Sequence, residues 1–579
     1  MSKILRVNMT DRTVQYEDVP EKYRFLGGRG LTSTIVCDEV DPTCHPLGPN
    51  NKIVFAPGIV TGTNAPTSGR ISVGGKSPLT GTIKESNAGC SWSQSVAKLG
   101  IKAIIVEGYP TDGGWWGLHI TKDGATFFPA DEYAGRGLYE VYPLLFERFG
   151  KKADICSIGM AGEYRMVAAG VCFNDIERRP SRYSGRGGLG AVMGSKRLKF
   201  IVVDAEGGPG VEIANPDLFD QGRKKLLEAL RQHDITKPKG GLNTYGTAIL
   251  VNILNEAGGY PTRNFREGRF EGAAATSGEA VFETNKRRLG KELYNHACHP
   301  GCVIQCSNTY YDEQGNEIVS CVEYESTWAL GANCGIDNLD AIGKLIWLCN
   351  DLGLDTIEMG GTIAVAMDAG LLPFGDWQGA IRLLDEEARK GSPLGRILGN
   401  GAAMTGQAFG WHRVPGCKGQ NMPAYEPRAV KGIGVTYATT TMGADHTAGY
   451  TIAPEILGVS GKVDPLEVKK AELSRNFQVA TAFIDSTGHC LFIAFPILDI
   501  ASGFEGLVEE CAGVLGVNWT MDDVTRIGKE IMEKEVAFNR AAGFTKAHDR
   551  VPEFMKYEPL PPHNVVWDVP DEELDAVWW

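Results

Sequence analysis

The chain has 579 residues, of which 43% are hydrophobic and 22% charged, a composition that supports extensive cores in a chain too long for one of them. Three domains are expected. A net charge of −13 without a long Lys/Arg tract argues against nucleic acid as a partner, and no apolar run nears the roughly 18 residues of a membrane span.

The first residues, MSKILRVNM, lack the apolar stretch of a signal peptide, so a soluble cytoplasmic protein is expected. In that compartment its 14 cysteines are expected to be thiols or metal ligands rather than disulfides. Glycine, at 73 residues, is about twice as frequent as usual, so much backbone must turn tightly or approach something closely.

From Lys3 to about Val203 the chain reads as strands and turns: ILRVNM, TVQYEDV, NKIVFAPGIV, GRISVGG, KAIIVEGY, WGLHI and KFIVVDA, separated by Gly, Asn, Asp and Pro. After DAEGGPGVEIANP the pattern turns helical, over Asp217 to Leu230, Leu339 to Leu352 and Ile357 to Ala369. The loop-rich GWHRVPGCKGQNMPAYEPRAVKG precedes further helices at Pro465 to Ile484 and Thr520 to Arg540. The predicted class is α+β: a β-rich domain over 1–210 and two mainly helical domains over 211–417 and 418–579. The tail, PLPPHNVVWDVPDEELDAVWW, is too Pro-rich for one helix, and its aromatics are expected to pack back on a domain. No exact internal repeat is evident.

The segment CHPGCVIQC, Cys298 to Cys306, holds three thiols in a loop that Pro300 and Gly301 keep from being regular helix. Zinc and iron–sulfur sites both take four ligands, and Cys490 in DSTGHC is the candidate fourth. Buried apolar cysteines are the competing reading. The spacing itself leaves zinc, with His299 as a ligand, and iron–sulfur both open.

Two segments share a pattern: Asn350-Asp-Leu-Gly353-Leu-Asp355 and Asp485-Ser-Thr-Gly488-His-Cys490, each after a predicted helix. Gly353 reads as a helix C-terminal glycine, and Asp355 through Glu358 as the capping box of the next helix. The second copy sets a carboxylate, Asp485, close to Cys490. Carboxylates and Asn carbonyls at helix ends suit the paired N–H donors of an amino-pyrimidinone edge, which a pterin carries.

In this order, GGRGLTS, SGRISVGGKSPLTGTIKESNAG, GRGGLGAVMGSKRLK, VEYES, NDLGLDT, GADHTAG and DSTGHC resemble the tungsten-dependent aldehyde:ferredoxin oxidoreductase family, over Ile4 to Trp567. The resemblance implies a β-rich base under the cofactor, two helical domains above it, tungsten or molybdenum held by two pterin dithiolenes, and one [4Fe-4S] cluster. By position, Cys298, Cys302, Cys306 and Cys490 would bind the cluster. The family pattern has two residues between the first pair where this chain has three, which leaves His299 as an alternative to Cys298. Asn350, Gly353, Leu354 and Asp355, with Asp485, Gly488 and His489, would hold the pterins. Arg70, Lys76, Asn87, Ala88, Arg182, Tyr183, Gly185, Arg186, Gly187 and Gly188 match segments beside the cofactor and its phosphates, bridged in the family by Mg2+. Gly185 to Gly190 also spells a dinucleotide-type GxGxxG, which is rejected because ERRPSRYS before it is not read as a strand.

Glu325 and His446 match the family's acid–base pair, with Tyr324 a possible positioning residue. The implied reaction is aldehyde oxidation, a carbonyl polarised by the metal or by protonated His446 while Glu325 takes a proton from water. Electrons would leave to ferredoxin or an iron–sulfur subunit, optionally linked to a flavin/NAD subunit, in an oligomer. Reduction of an aromatic acyl-thioester is the alternative within the fold. A non-catalytic iron–sulfur or zinc subunit is the alternative outside it.

Overall fold

The computed structural model describes residues 2–579. Within it, the first 203 residues fold as one unit twice over. β1 (Lys3–Asn8) and β2 (Thr13–Asp18) form a hairpin, followed by α1 (Gly28–Glu39), β3 (Ile53–Pro57), β4 (Arg70–Lys76), β5 (Ile83–Gly89), α2 (Ser91–Lys98) and β6 (Ile101–Glu107). β7 (Trp116–Thr121), β8 (Gly124–Pro129), α3 (Leu138–Phe149), β9 (Asp154–Ser157), β10 (Val171–Phe173), β11 (Arg182–Ser184), α4 (Leu189–Ser195) and β12 (Leu198–Val203) repeat that succession.

The strand orders correspond, β2-β1-β6-β3-β4-β5 and β8-β7-β12-β9-β10-β11. Each sheet has one parallel pair, β1 with β6 and β7 with β12. The duplication is not visible as a sequence repeat because strand pairing asks only for suitable burial on each face, which unrelated residues can supply.

One core joins the two sheets. Its hub is Trp92 of α2, fully buried between Phe55 of β3 and Phe173 of β10 at centroid distances of 5.6 and 5.4 Å, with its indole N–H donating to the Ile201 carbonyl of β12. All seven expected strands form. β5, β8, β9, β10 and β11 were not expected. β5 (IKESNAG) and β11 (RYS) are largely polar, contributing only Ile83, Ala88 and Tyr183 to apolar cores, and β9 and β10 are very short.

β11 also corrects the reasoning on GxGxxG: a short strand does precede it. The dinucleotide reading fails instead on topology, because β11 pairs only antiparallel to β10 at a sheet edge, so no parallel β-α-β unit exists there.

The rest of the chain is mainly helical and includes α5 (Pro216–Gln232), α6 (Tyr324–Ala329), α7 (Leu339–Leu352), α8 (Thr356–Asp368), α9 (Lys431–Thr439), α10 (Ala471–Thr487), α11 (Ala494–Asp499), α12 (Ala501–Leu515) and α13 (Met521–Ala541), among further helices such as Gly278–Leu289 and Gly401–Phe409. Local signals set the ends. Asn215 caps α5 by accepting from the Leu218 N–H, with Pro216 in the first turn, and Thr520 with Asp523 forms the capping box of α13.

The helix expected from Pro465 starts only at Ala471. Asp464 Oδ1 accepts from the Leu466 N–H in a local turn, and the Pro465 carbonyl accepts from the Lys431 N–H, so these groups are spent before a helix can begin. One core draws on residues 219–332 and 417–577 together, including Trp567, Leu574 and Val577 of the tail. A second joins 160–191 to 281–398. The first core runs across the division expected near residue 417. Among the described residues no single helix is long and apolar enough to cross a membrane.

Candidate functional site

α7 and α10 both end on a left-handed glycine, Gly353 (φ 80°) and Gly488 (φ 94°). Each end is pressed onto the corresponding turn of the doubled base. A Cβ on Gly159, after β9, would stand 2.2 Å from the Leu352 carbonyl oxygen, and one on Gly58, after β3, 2.1 Å from Gly488, so neither turn admits a side chain.

Backbone bonds fix both contacts. The Gly170 N–H donates to Gly353 O (3.0 Å) and the Asp355 N–H to Ala168 O (2.9 Å), while the Ile59, Val60 and Arg70 N–H groups donate to Ser486, Thr487 and Gly488 O (3.1, 2.9 and 3.1 Å). Asp355 then caps α8, its Oδ1 accepting from the Ile357 N–H at 3.0 Å. Two matching helix ends thus stand over two matching half-bases.

The cysteine loop lies over the strands β4 and β5. A Cβ on Gly69 would meet the His299 ring at 2.4 Å, and one on Gly89 the Cys298 sulfur at 2.8 Å. The Cys490 N–H donates to Thr67 O (3.0 Å) and the Thr67 N–H to Gly301 O (2.9 Å), so one turn ties the loop to the fourth cysteine. Cys298, Cys302, Cys306 and Cys490 all line one cavity of about 210 Å³, together with Arg70, Arg182, Glu325 and His446.

The donor atoms of Cys298, His299 and Cys302 lie within 4.8 Å of one another. His299 is nevertheless engaged at both nitrogens: Nε2 accepts from the Gly69 N–H (3.3 Å), and Nδ1 faces the Pro300 carbonyl at 2.9 Å. A hydrogen bond from Cys298 lowers the Cys302 thiol to about 7, which favours a thiolate donor.

Two sets of charged groups extend from this cavity, each including one of its lining arginines, Arg70 and Arg182. In the first, Arg70 donates to Asn87 Oδ1 (3.0 Å) and Cys490 Sγ (3.3 Å) while its Nε has no partner, and Asn87 Nδ2 reaches Asp485 Oδ1 at 3.4 Å. Arg29 binds Glu535 through two bonds of 2.9 and 2.8 Å and Asp485 Oδ2 at 3.3 Å. Burial pushes Asp485 up despite Arg29, and pushes Glu85 up to about 8.

A carboxyl whose folded-state value is raised contributes its stability below the unfolded-state range and loses it as pH rises through about 8. Glu85→Gln in metal-free protein should therefore raise Tm by a few degrees at about pH 9 and by less at about pH 5.5. Thermal melts at both values check the sign, and an equal shift at both would contradict it.

In the second set, Arg186 binds Asp355 Oδ2 (3.2 Å) and the Ala444 and Asn421 carbonyls (2.8 and 2.7 Å). Arg182 donates to Gly89 O, Ser307 Oγ and Cys321 Sγ (3.2, 3.1 and 3.3 Å). The Tyr183 hydroxyl donates to the Asn350 carbonyl, and the Asn350 amide faces Tyr139 and Ser320. Gly185 lies beside Asp355, and Gly187 (φ 85°) leaves room for Lys84, whose chain a Cβ there would meet at 2.6 Å. Gly188 (φ 77°) caps α4.

Ala88 is buried in β5 opposite Ile71. His489 is buried, its Nδ1 2.9 Å from Thr487 Oγ1 and its Nε2 3.0 Å from Glu510 Oε2, close but not aligned for a hydrogen bond. Lys76 does not join its companions: its ammonium donates to the Pro42 and Cys44 carbonyls instead.

Glu325 follows the first residue of α6, and its Oε2 accepts from the Ala424 N–H at 2.9 Å. Its Oε1 stands 3.3 Å from His446 Nε2, yet Glu325 Oε1 and His446 Nδ1 are both buried without a hydrogen-bond partner. Burial raises Glu325 to about 8 and lowers His446 to about 4. At neutral pH the resting proton therefore sits on the carboxyl and the imidazole is neutral, so the expectation of a protonated His446 is reversed.

Asp445, next in the chain, resists the upward pull of burial and is held well below the usual range by Lys84 and Arg186. The Tyr324 hydroxyl is spent on the Ala424 carbonyl (2.7 Å), whereas Tyr425 and Tyr450 bond to each other (2.9 Å) on the wall of the cavity. Arg29, Lys84, Glu85, Asp445, Tyr425 and Tyr450 were not singled out from the sequence. The first four sit inside GGRGLTS, TIKESNAG and GADHTAG, the motifs already quoted.

Four thiols, the free Nε donor of Arg70 and unpaired buried carboxyl and imidazole atoms are a donor set suited to a cluster and an anionic cofactor. Fold and site define the class of proteins with a buried cavity equipped to bind a cofactor. Sequence profiles of the aldehyde ferredoxin oxidoreductase family match residues 4–205, as its N-terminal domain, and 221–577, as its domains 2 and 3. The chain belongs to this family.

Tungsten-containing aldehyde ferredoxin oxidoreductases of Pyrococcus horikoshii and Pyrococcus furiosus are 37% and 36% identical to it, each alignment covering 96% of this chain and 92% of the relative. An aliphatic sulfonate oxidoreductase subunit of P. furiosus is 26% identical over 99% of this chain and 92% of its own. The active-site complex BamBC of benzoyl coenzyme A reductase has the same fold, with a TM-score of 0.79 at 18% identity over 100% of this chain and 93% of that one.

Proposed function

We propose that the protein oxidises aldehydes to carboxylic acids at a tungsten bis-pterin centre. The observation that carries this reading is the convergence of the buried Glu325–His446 pair and four cysteines on one cavity in a chain of this family. Cys298, Cys302, Cys306 and Cys490 would hold one [4Fe-4S] cluster. Asn350, Asp355 and Arg186 would serve one pterin, and Asp485, Asn87 and Arg70 the other, with Mg2+ as a counter-ion that would offset their phosphate charge. The bound metal supplies the two-electron change and the cluster the one-electron exit.

Conversion of an aldehyde to its acid takes one oxygen from water and releases two protons and two electrons. Glu325, when ionised, accepts the first proton from that water. Its carboxylate also favours the Nε2–H tautomer of His446 across 3.3 Å, leaving the unpartnered Nδ1 as an acceptor for a proton. Because Glu325 is raised to about 8, the active fraction grows with pH through the neutral range.

Ferredoxin or a dedicated iron–sulfur subunit, alone or with a flavin/NAD subunit, would take the electrons, in the cytoplasm. Elemental analysis of anaerobically purified protein tests the centre, with about one W or Mo and about four Fe per chain expected. Zinc without these metals would sink it. Aldehyde-dependent reduction of a viologen dye tests the reaction.

A further inference from the structure

A second cavity, of about 310 Å³, lies among the C-terminal helices and shares Tyr450, Leu491 and Phe492 with the catalytic cavity. No charged side chain lines it. The first cavity, by contrast, carries Arg70, Arg182, Glu323 and Glu325.

Tyr450 stands between the two. Its ring centroid is 6.2 Å from that of His446 on one side and 6.3 Å from that of Phe495 on the other. Leu491 and Phe492 follow directly on Cys490, and Phe492 stacks on Phe495 at 5.7 Å. Leu498, 38% exposed, stands at the rim. Helical interiors normally close such space, because an unfilled apolar chamber forfeits packing and hydrophobic burial. A chamber of this size, mainly apolar with Asn476, Thr481 and Thr525 as its few polar side chains besides the Tyr450 phenol, and sharing Tyr450, Leu491 and Phe492 with the cavity that holds Glu325 and His446, has the form of a small-molecule site.

We propose that this chamber seats the hydrocarbon part of the aldehyde, its carbonyl passing Tyr450 and Phe492 to reach Glu325 and His446. The enzyme then selects aldehydes with extended apolar tails, aromatic or medium-chain, over short or polar ones. This assignment rests on the aldehyde-oxidising reading. Each methylene that leaves water for the chamber raises kcat/KM by roughly fourfold until the space is full.

The test uses holoenzyme and a series from acetaldehyde to octanal, with octanamide as a non-oxidisable probe in calorimetry. Ala480→Trp narrows the chamber from an exposed position on α10 that the catalytic cavity does not share. Phe495→Ala widens it from within. Ala480→Trp is expected to cut octanal kcat/KM at least tenfold with acetaldehyde changed less than twofold, and to weaken octanamide. Phe495→Ala is expected to shift the preference toward longer or branched tails.

A flat chain-length dependence in the wild type, or equal losses on both aldehydes, overturns the assignment. A chamber that instead seats part of a partner protein gives that flat result. Octanamide binding that Ala480→Trp weakens, in a protein that oxidises no aldehyde, keeps the chamber as an apolar-ligand site and rejects the reaction. Aldehyde oxidation without chain-length dependence or octanamide binding does the reverse.

Discussion

Glu325→Gln is expected to lower kcat on aldehydes by about 10²–10⁴-fold, the usual scale for loss of a general base, while leaving metal, iron and pterin content unchanged. The side chain is the same size, and its Oε2 bond from the Ala424 N–H at 2.9 Å can be kept by the amide oxygen. What glutamine cannot do is take a proton.

The pH profile separates this role from a merely structural one. With Glu325 raised to about 8 by burial, wild-type kcat/KM should climb roughly tenfold per pH unit on the acid side and level off above about 8, and this limb should vanish in Glu325→Gln. His446, lowered to about 4, adds nothing near neutrality. A variant that keeps the limb, or that loses its iron, would remove Glu325 from proton transfer.

How legible the centre was depends on what each residue had to signal. The cysteine loop, the helix-end Gly353 and the N-cap role of Asp355 were readable, because each follows from local chain geometry; the expected capping box is not completed, since the Glu358 carboxylate accepts from the Ala402 and Asn421 N–H groups instead. The doubled base was not: β9 and β10 are only four and three residues long, and the match between Gly58 and Gly159 emerges from topology rather than from any shared motif.

Sequence likewise cannot say where a proton rests. Glu325 and His446 have ordinary values in opposite order to those that burial imposes on them. Nor could spacing separate Lys76 from Lys84. Both lie near the same strand turn, yet Lys84 is enclosed beneath Gly187 and pairs with Asp445 at 3.3 Å, while Lys76 folds back onto the Pro42 and Cys44 carbonyls.

Cys490→Ser is expected to lower iron well below the roughly four atoms per chain of an intact cubane and to abolish the electron paramagnetic resonance of the reduced cluster. Activity should fall at least a hundredfold. Serine leaves the backbone ties intact, since the Cys490 N–H bonds the Thr67 carbonyl and Gly488 O receives the Arg70 N–H, so the loss would report the sulfur itself.

The informative comparison is at the other end of the ligand set. Cys298→Ser should resemble Cys490→Ser, whereas His299→Gln should keep its iron, because the histidine already spends Nε2 on the Gly69 N–H and Nδ1 on the Pro300 carbonyl. Iron retained in Cys298→Ser and lost in His299→Gln would make the histidine the ligand. The three-residue spacing of Cys298 and Cys302 would then mark a change of donor type rather than a longer loop around the same four sulfurs.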